Sequence, residues 1–189
     1  MLTSKMDRRK KYTRMVLKES LMQMLKEKAI SSITIKELCE VADINRSTFY
    51  SHYSDQYDLL HQIEEEIIQD MTETLTSYNY NEDEEALKMT EKLLEYVATN
   101  SDSFLTLFSE HGNSTFQKRV MMLAHEVTVK NMMSTHEVGT KLSDYLTLFA
   151  ISGSINVIQE WLKNGMDKTP KEMAELIIKL TKKGLSSFG

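Results

Sequence analysis

The chain has a single cysteine, Cys39, and a single proline, Pro170, and its six glycines all lie at Gly112 or later. One cysteine excludes an internal disulfide, and a reducing, cytoplasmic setting is the expectation. So few breakers, with little strict alternation of apolar and polar positions, exclude a sheet-rich architecture and predict an all-α chain. No apolar run approaches the roughly 20 residues that a membrane helix needs. The N-terminal "MLTSKMDRRKKYTR" has no apolar block behind its charges, so neither a membrane span nor a secretory signal is expected. A Gly-rich phosphate loop, a Ser/His/Asp order and paired carboxylates are also missing, which argues against an enzyme and against a bound cofactor. Metal-ligand spacing is lacking too. His125-Glu126 and His136-Glu137 repeat eleven residues apart, but neither forms His-Glu-x-x-His.

What is present is an ordinary soluble balance, 41% hydrophobic and 27% charged over 189 residues. That length suits one sizeable core, or a small domain joined to a larger one. The net charge of −5 is unevenly spread, because residues 1–53 carry eleven Lys and Arg against six Asp and Glu. A basic front on an acidic body suggests that the front meets a polyanion.

Helix starts are legible from their caps. Thr34 precedes Glu37, Ser114 precedes Gln117 and Thr169 precedes Glu172, each at the spacing of a capping box. Pro170 stands at a first helical position, where its missing amide costs nothing. "WLKNGM" offers Gly165 as a left-handed stop followed by the apolar Met166. These marks predict about nine helices: Asp7 to Lys28, Ile35 to Ala42, Arg46 to His52, Asp55 to Ser77, then 84–99, 102–110, 115–133, 141–164 and 170–186. The last two are apolar around most of their circumference, so they must be buried on several sides. A single chain of this size has too few other helices to cover them. A homodimer formed through about residues 141–186 is the expectation.

The stretch "ITIKELCEVADINRSTFYSHYSDQYDLL" at 33–60 holds two short helices in succession. The first turns Leu38, Cys39 and Ala42 inward, and the small side chains at two of the three places allow a close neighbour; Cys39 is accordingly a structural thiol. "DIN" is too short for an antiparallel return and suits a steep crossing. Asn45 caps the next helix. Phe49 and Tyr53, four apart, anchor that helix from behind, leaving Arg46, Ser47, Thr48, Tyr50 and Ser51 outward. This is a helix-turn-helix arrangement, in which the second helix enters the major groove. Arg46 can pair with guanine and Thr48 with a base or a thymine methyl. Tyr50, His52 and Thr34 can hold phosphates, while Lys36 and the "RRKK" run at Arg8 to Lys11 add salt-sensitive attraction.

From about Asp7 to Ile68, and most specifically over "TFYSHYSDQYDLL", the chain resembles the TetR family of bacterial transcriptional regulators. The resemblance implies a DNA-binding domain over 7–68 with its helix-turn-helix at about 33–52. It further implies a C-terminal helical domain over 69–189 that dimerises and binds a small-molecule effector. By position it places Arg46, Ser47 and Thr48 at base edges and Tyr50 and His52 along the DNA backbone, with Thr34 and Lys36 flanking. Four positions depart from the family pattern: Ala29 and Asp43 stand where glycine is common, as does Ser47, and Gln56 replaces a frequent phosphate-contacting lysine.

The middle of the chain is rich in soft and aromatic side chains. Phe104, Phe108, Met121, His125, Tyr145 and Phe149 are candidates to line an effector cavity, with core packing as the alternative for each. The expected function is an effector-responsive homodimeric repressor on a palindromic operator, the fourth helix acting as lever between the two halves. The alternatives are an activator working through a partner protein, a helical interaction protein, or an enzyme without DNA binding.

Overall fold

The computed structural model describes the backbone of residues 2–77, 83–112, 114–134 and 141–185, and the side chains of 8–77, 84–112, 115–127 and 144–181. Among these residues there are nine α-helices and no strand. They are α1 (Leu2–Leu25), α2 (Ile35–Val41), α3 (Arg46–Tyr50), α4 (Gln56–Thr76), α5 (Asp83–Thr99), α6 (Ser101–Phe108), α7 (Ser114–Ser134), α8 (Lys141–Lys163) and α9 (Pro170–Leu185). A single 3-10 turn, Ile30–Ser32, lies between α1 and α2. Two helices differ materially in their bounds from the sequence reading. First, α1 starts at Leu2 and stops at Leu25, where 3-10-type bonds such as Lys26 N–H to Gln23 O tighten its last turn. Second, α3 ends at Tyr50, not His52, because the Ser51 hydroxyl and amide both return to the Thr48 carbonyl and close the helix early.

By its contacts the chain divides into two units. The first comprises Met1–Ile67 with Thr106–Phe116. Its core is a stripe of α1, Leu17, Leu21 and Leu25 four residues apart, meeting Ile33, Leu38, Phe49, Tyr53, Leu59 and Leu60, all essentially inaccessible. Full burial of a ring such as Phe49 contributes about 1.5–3 kcal/mol, so α3, only five residues long, is held by its tertiary anchor and not by propensity. Lys18 of α1 pairs with Glu66 of α4, and Lys28 with Glu37 at 3.0 Å. Phe108 and Phe116 pack ring to ring at 5.3 Å.

The second unit comprises Ile68–Leu105 and Gln117–Gly189. Here α5 lies along α9, with Ala86, Met89, Leu94, Val97, Trp161, Met173, Ala174 and Ile177 buried. The α8 to α9 corner closes as expected. Met166 N–H reaches back to the Trp161 carbonyl and Gly165 N–H to Leu162, the paired bonds of a Schellman motif, with Gly165 at φ +73°. Trp161 seals the corner by donating its indole N–H to the Lys168 carbonyl at 2.9 Å. The Thr169–Glu172 capping box then opens α9. The box expected at Ser114 and the pair at His136-Glu137 lie outside the described side chains.

The apolar circumference of α8 is only partly covered within one chain. Tyr145, Leu148 and Phe149, spaced i, i+3 and i+4, are 69%, 51% and 79% exposed, and on α9 Leu176 and Leu180 are also open.

Candidate nucleic-acid interface

The first unit builds a short helix and holds it out. The Thr34 hydroxyl accepts from the Glu37 amide at 3.2 Å, and the Glu37 carboxylate accepts from the Thr34 amide at 3.0 Å, so α2 begins on a complete capping box. The backbone bond from Thr34, together with Lys28, brings the Glu37 carboxyl down to about 2. At the far end of α2, Ile44 N–H bonds to the Cys39 carbonyl and Asp43 N–H to Glu40, a second Schellman closure. Its left-handed residue is Asp43, at φ 52°. Asp tolerates that region better than most residues, which is how this turn forms without glycine. Ala29 needs no glycine either, since it is extended at φ −61°.

Asn45 then caps α3, its side-chain oxygen accepting from the Ser47 amide at 3.2 Å. Leu38, Cys39 and Ala42 of the α2 segment are buried as anticipated, and so are Phe49 and Tyr53 behind α3. Burial raises the Cys39 thiol above its usual range, the signature of a packed and unreactive sulfur.

The seven residues named from sequence fall on and around α3, in differing states. Arg46 is exposed and in no ion pair among the described residues. Tyr50 is 58% exposed, its ring edge-on to Phe49 at 5.6 Å. Ser47 is exposed, with its hydroxyl turned to the Asn45 cap at 3.3 Å. The Thr34 hydroxyl proton is already committed to Glu37, at 2.9 Å, which leaves the group less able to donate outward. Lys36 reaches Glu40 at 3.9 Å across an exposed helix face, a pairing that water and salt weaken. Thr48 and His52 are half-buried.

Two concave surfaces flank α3. One, of about 470 Å³, lies in the elbow between α2 and α3 and is lined by Lys36, Cys39, Glu40 and Asp43 to Arg46. The other, of about 800 Å³, runs between α1 and α3, where Arg9, Lys10, Tyr12, Thr13 and Arg14 face Thr48, Ser51 and His52, with Asp43 to Asn45 at one end. The sequence reading missed Arg14. The spacing of Lys10 and Arg14 puts them on one helix face, but only packing decides that this face turns toward α3.

The six candidate effector residues are placed as follows. Phe104 is buried edge-on to Tyr96 at 6.1 Å, and Phe108 packs on Phe116. Met121 is half-buried and His125 exposed on α7, and Tyr145 and Phe149 stand on the open stripe of α8. Among the described residues no cluster of His, Cys, Asp and Glu could hold a metal ion, and no helix is long and apolar enough to cross a membrane.

Comparison with known proteins points the same way. A family model of TetR C-terminal type, described as "Transcriptional regulator C-terminal region", matches residues 84–183, more than half of the chain. An HTH-type transcriptional regulator of Bacillus subtilis (strain 168), YxbF, is 37% identical over 59 residues. That stretch spans 31% of this chain but only 14% of YxbF. Among solved structures, a TetR transcriptional regulator from Streptococcus agalactiae 2603V matches with a TM-score of 0.69 at 21% identity, over 95% of this chain and 98% of that one. The dihydroxyacetone kinase operon activator DhaS matches at 0.61 and 16%, over 93% and 97%. The fatty acid degradation regulator FadR from Bacillus halodurans matches at 0.65 and 13%, over 92% and 96%. At these identities the structural likeness establishes the fold.

Proposed function

Because the chain belongs to the TetR family of transcriptional regulators, and so is a regulator rather than an enzyme, we propose that it works as a cytoplasmic homodimeric repressor on a palindromic operator. The DNA-binding domain is residues 7–68 and the regulatory and dimerisation domain 69–189. The observation that carries the reading is α3 itself: Phe49 and Tyr53 bury its back while Arg46 and Tyr50 stand open on its front. In this reading Arg46, Ser47 and Thr48 meet base edges. Tyr50, His52, Lys36 and Thr34 lie along the backbone and set register without reading sequence. The exposed stripe of α8, with Leu176 and Leu180 of α9, is where a second copy docks, since apolar side chains this open are what a two-fold interface removes from water. Two reading heads then enter major grooves about 34–36 Å apart.

Effector control is the second part of the proposal. A small molecule bound in the C-terminal domain shifts DNA affinity only by binding two conformations unequally. The α4 helix, continuous from Gln56 to Thr76, passes from the first unit into the second, as α6 and α7 also do; of the three it follows directly on the helix-turn-helix and so acts as the lever.

The test is selection of bound duplexes from random DNA at stated salt. Recovery of an inverted repeat supports both the reader and the two-fold partner, and recovery of no preferred sequence overturns the reading. Activation is the second reading, favoured by the fold likeness to DhaS, an operon activator. A reporter under the selected site separates the two. Deleting the regulator raises expression if it represses and lowers it if it activates.

A further inference from the structure

Two sets of cations in the first unit differ in their surroundings. Lys18, Lys28 and Lys36 each have a carboxylate partner. Arg9, Lys10 and Arg14 have none among the described residues, and all three line the α1/α3 cleft. Opposite them stand the Thr48 and Ser51 side chains and the imidazole of His52, and Asp43 is the one acidic group in the lining. A concentration of like charge beside the Thr48 hydroxyl is a receptor for an anion with several acceptor oxygens, the Ser51 hydroxyl being committed to the Thr48 carbonyl. The cleft adjoins the face of α3 proposed to meet the duplex, so the anion within reach is a phosphate of the DNA backbone.

His52 makes this cleft a sensor as well as a clamp. Its ring lies 6.2 Å from that of Tyr53. The groups facing it are Arg9, Lys10, Tyr12 and Arg14 from α1 and Asp43 from the turn, while Asp58 and Glu66 of α4 act on the Tyr53 hydroxyl behind it. In the free protein, burial of the imidazole, reinforced by the charges of Arg14 and Lys10, holds His52 below the usual histidine range, so it is neutral at neutral pH. A seated phosphate reverses that balance. It offsets the two cations and offers an acceptor to a protonated ring, both of which favour the charged form.

Resting on the DNA reading above, we propose that the α1/α3 cleft seats one backbone phosphate per protomer between Arg9, Arg14 and His52, and that His52 takes up a proton as it does so. The sign follows from linkage. The complex binds one more proton per protomer than the free protein between the two titration points of His52. Affinity therefore rises as pH falls through that window and levels off below it. No base is read by the cleft, so the effect is the same for every sequence that α3 accepts.

The experiment measures dissociation constants by fluorescence anisotropy for a labelled duplex of about 30 base pairs, long enough for two half-sites. Wild type, His52→Gln and Arg14→Gln are compared between about pH 5 and 8, the range in which histidine titrates, at constant chloride ionic strength. Wild-type affinity is expected to rise by up to about tenfold per pH unit and per protomer through the window, and the His52→Gln profile to be flat. Arg14→Gln should bind more weakly at every pH, with a salt slope reduced by about one per protomer. Should a variant fail to fold by circular dichroism, the His52 ring signal followed by NMR in the wild type supplies the same answer. Its titration point must move up when duplex is added. Inorganic phosphate at matched ionic strength, used as competitor, must weaken duplex binding less in Arg14→Gln than in wild type. A wild-type profile as flat as that of His52→Gln, or a ring signal that duplex does not move, overturns the proposal while leaving DNA binding intact. Absence of duplex binding at any pH overturns instead the DNA reading on which it rests.

Discussion

Replacing Phe149 with aspartate is the sharpest test of how two copies of this chain meet. In the single chain the side chain is 79% exposed, beside Tyr145 and Leu148 on one stripe of α8. A phenylalanine buries roughly 150–250 Å² in a core or interface, and full burial is worth about 1.5–3 kcal/mol. In a two-fold interface the residue occurs twice, so Phe149→Asp removes about 3–6 kcal/mol from association, before any cost of desolvating the new carboxylate. That corresponds to a dimer dissociation constant raised by about two to four powers of ten. The fold of the chain should be untouched, because a substitution at an exposed position with no other role usually moves stability by less than about 0.5 kcal/mol. Sedimentation equilibrium gives the dissociation constant, and circular dichroism confirms the helices. If the variant associates as tightly as wild type, α8 does not dimerise through this stripe. Phe149 would then stand only as a candidate effector contact.

Three further outcomes follow from the first unit. Arg46→Ala should weaken binding to the selected duplex by about 1–3 kcal/mol and relax preference at one base position; an equal loss across all sequences would show that Arg46 touches only phosphate. Asp43→Asn keeps a residue suited to the left-handed turn at φ 52° but removes the one acid of the α1/α3 cleft and leaves Glu40 as the one acid of the α2/α3 elbow. At low salt it should bind duplex two- to threefold more tightly, about 0.5 kcal/mol for a solvated charge within several ångström of phosphate; weaker binding would mean that the carboxylate helps to organise the turn. Glu37, brought from 4.5 to about 2 chiefly by the Thr34 amide, supports α2 only while ionised. Since its folded value is depressed, that support is complete above about pH 4.5 and fades as pH falls toward 2. Urea midpoints of wild type and Glu37→Gln should therefore differ at pH 6 and converge near pH 2, and a gap that persists at the lower pH would disprove the linkage.

Much of this architecture was legible because the signals are local. Thr34, Asn45 and Thr169 announce helix starts through bonds to amides two or three residues away, and Gly165 announces a stop through its own φ. The inward set Leu38, Cys39, Ala42, Phe49 and Tyr53 was readable from helical spacing alone. The early end of α3 was not, because Ser51 competes for the Thr48 carbonyl in a way that periodicity does not register. Nor was the commitment of the Thr34 hydroxyl to Glu37, which the cap requires and which limits Thr34 as a phosphate ligand.

The sequence by itself determined the helical class, the order of the elements and the helix-turn-helix, since caps, turns and spacing act over a few residues and carry their own chemistry. It also implied that α8 has more apolar surface than one chain can cover. Only the tertiary structure decided how each helix is rotated about its axis. That rotation turns Arg9, Lys10 and Arg14 of α1 toward His52, brings Thr106–Phe116 into the first unit, and leaves Phe149 open while Phe104 is buried. The physical reason is that a helix satisfies its own backbone at any rotation. The choice of face is made by burial against neighbours far away in the chain.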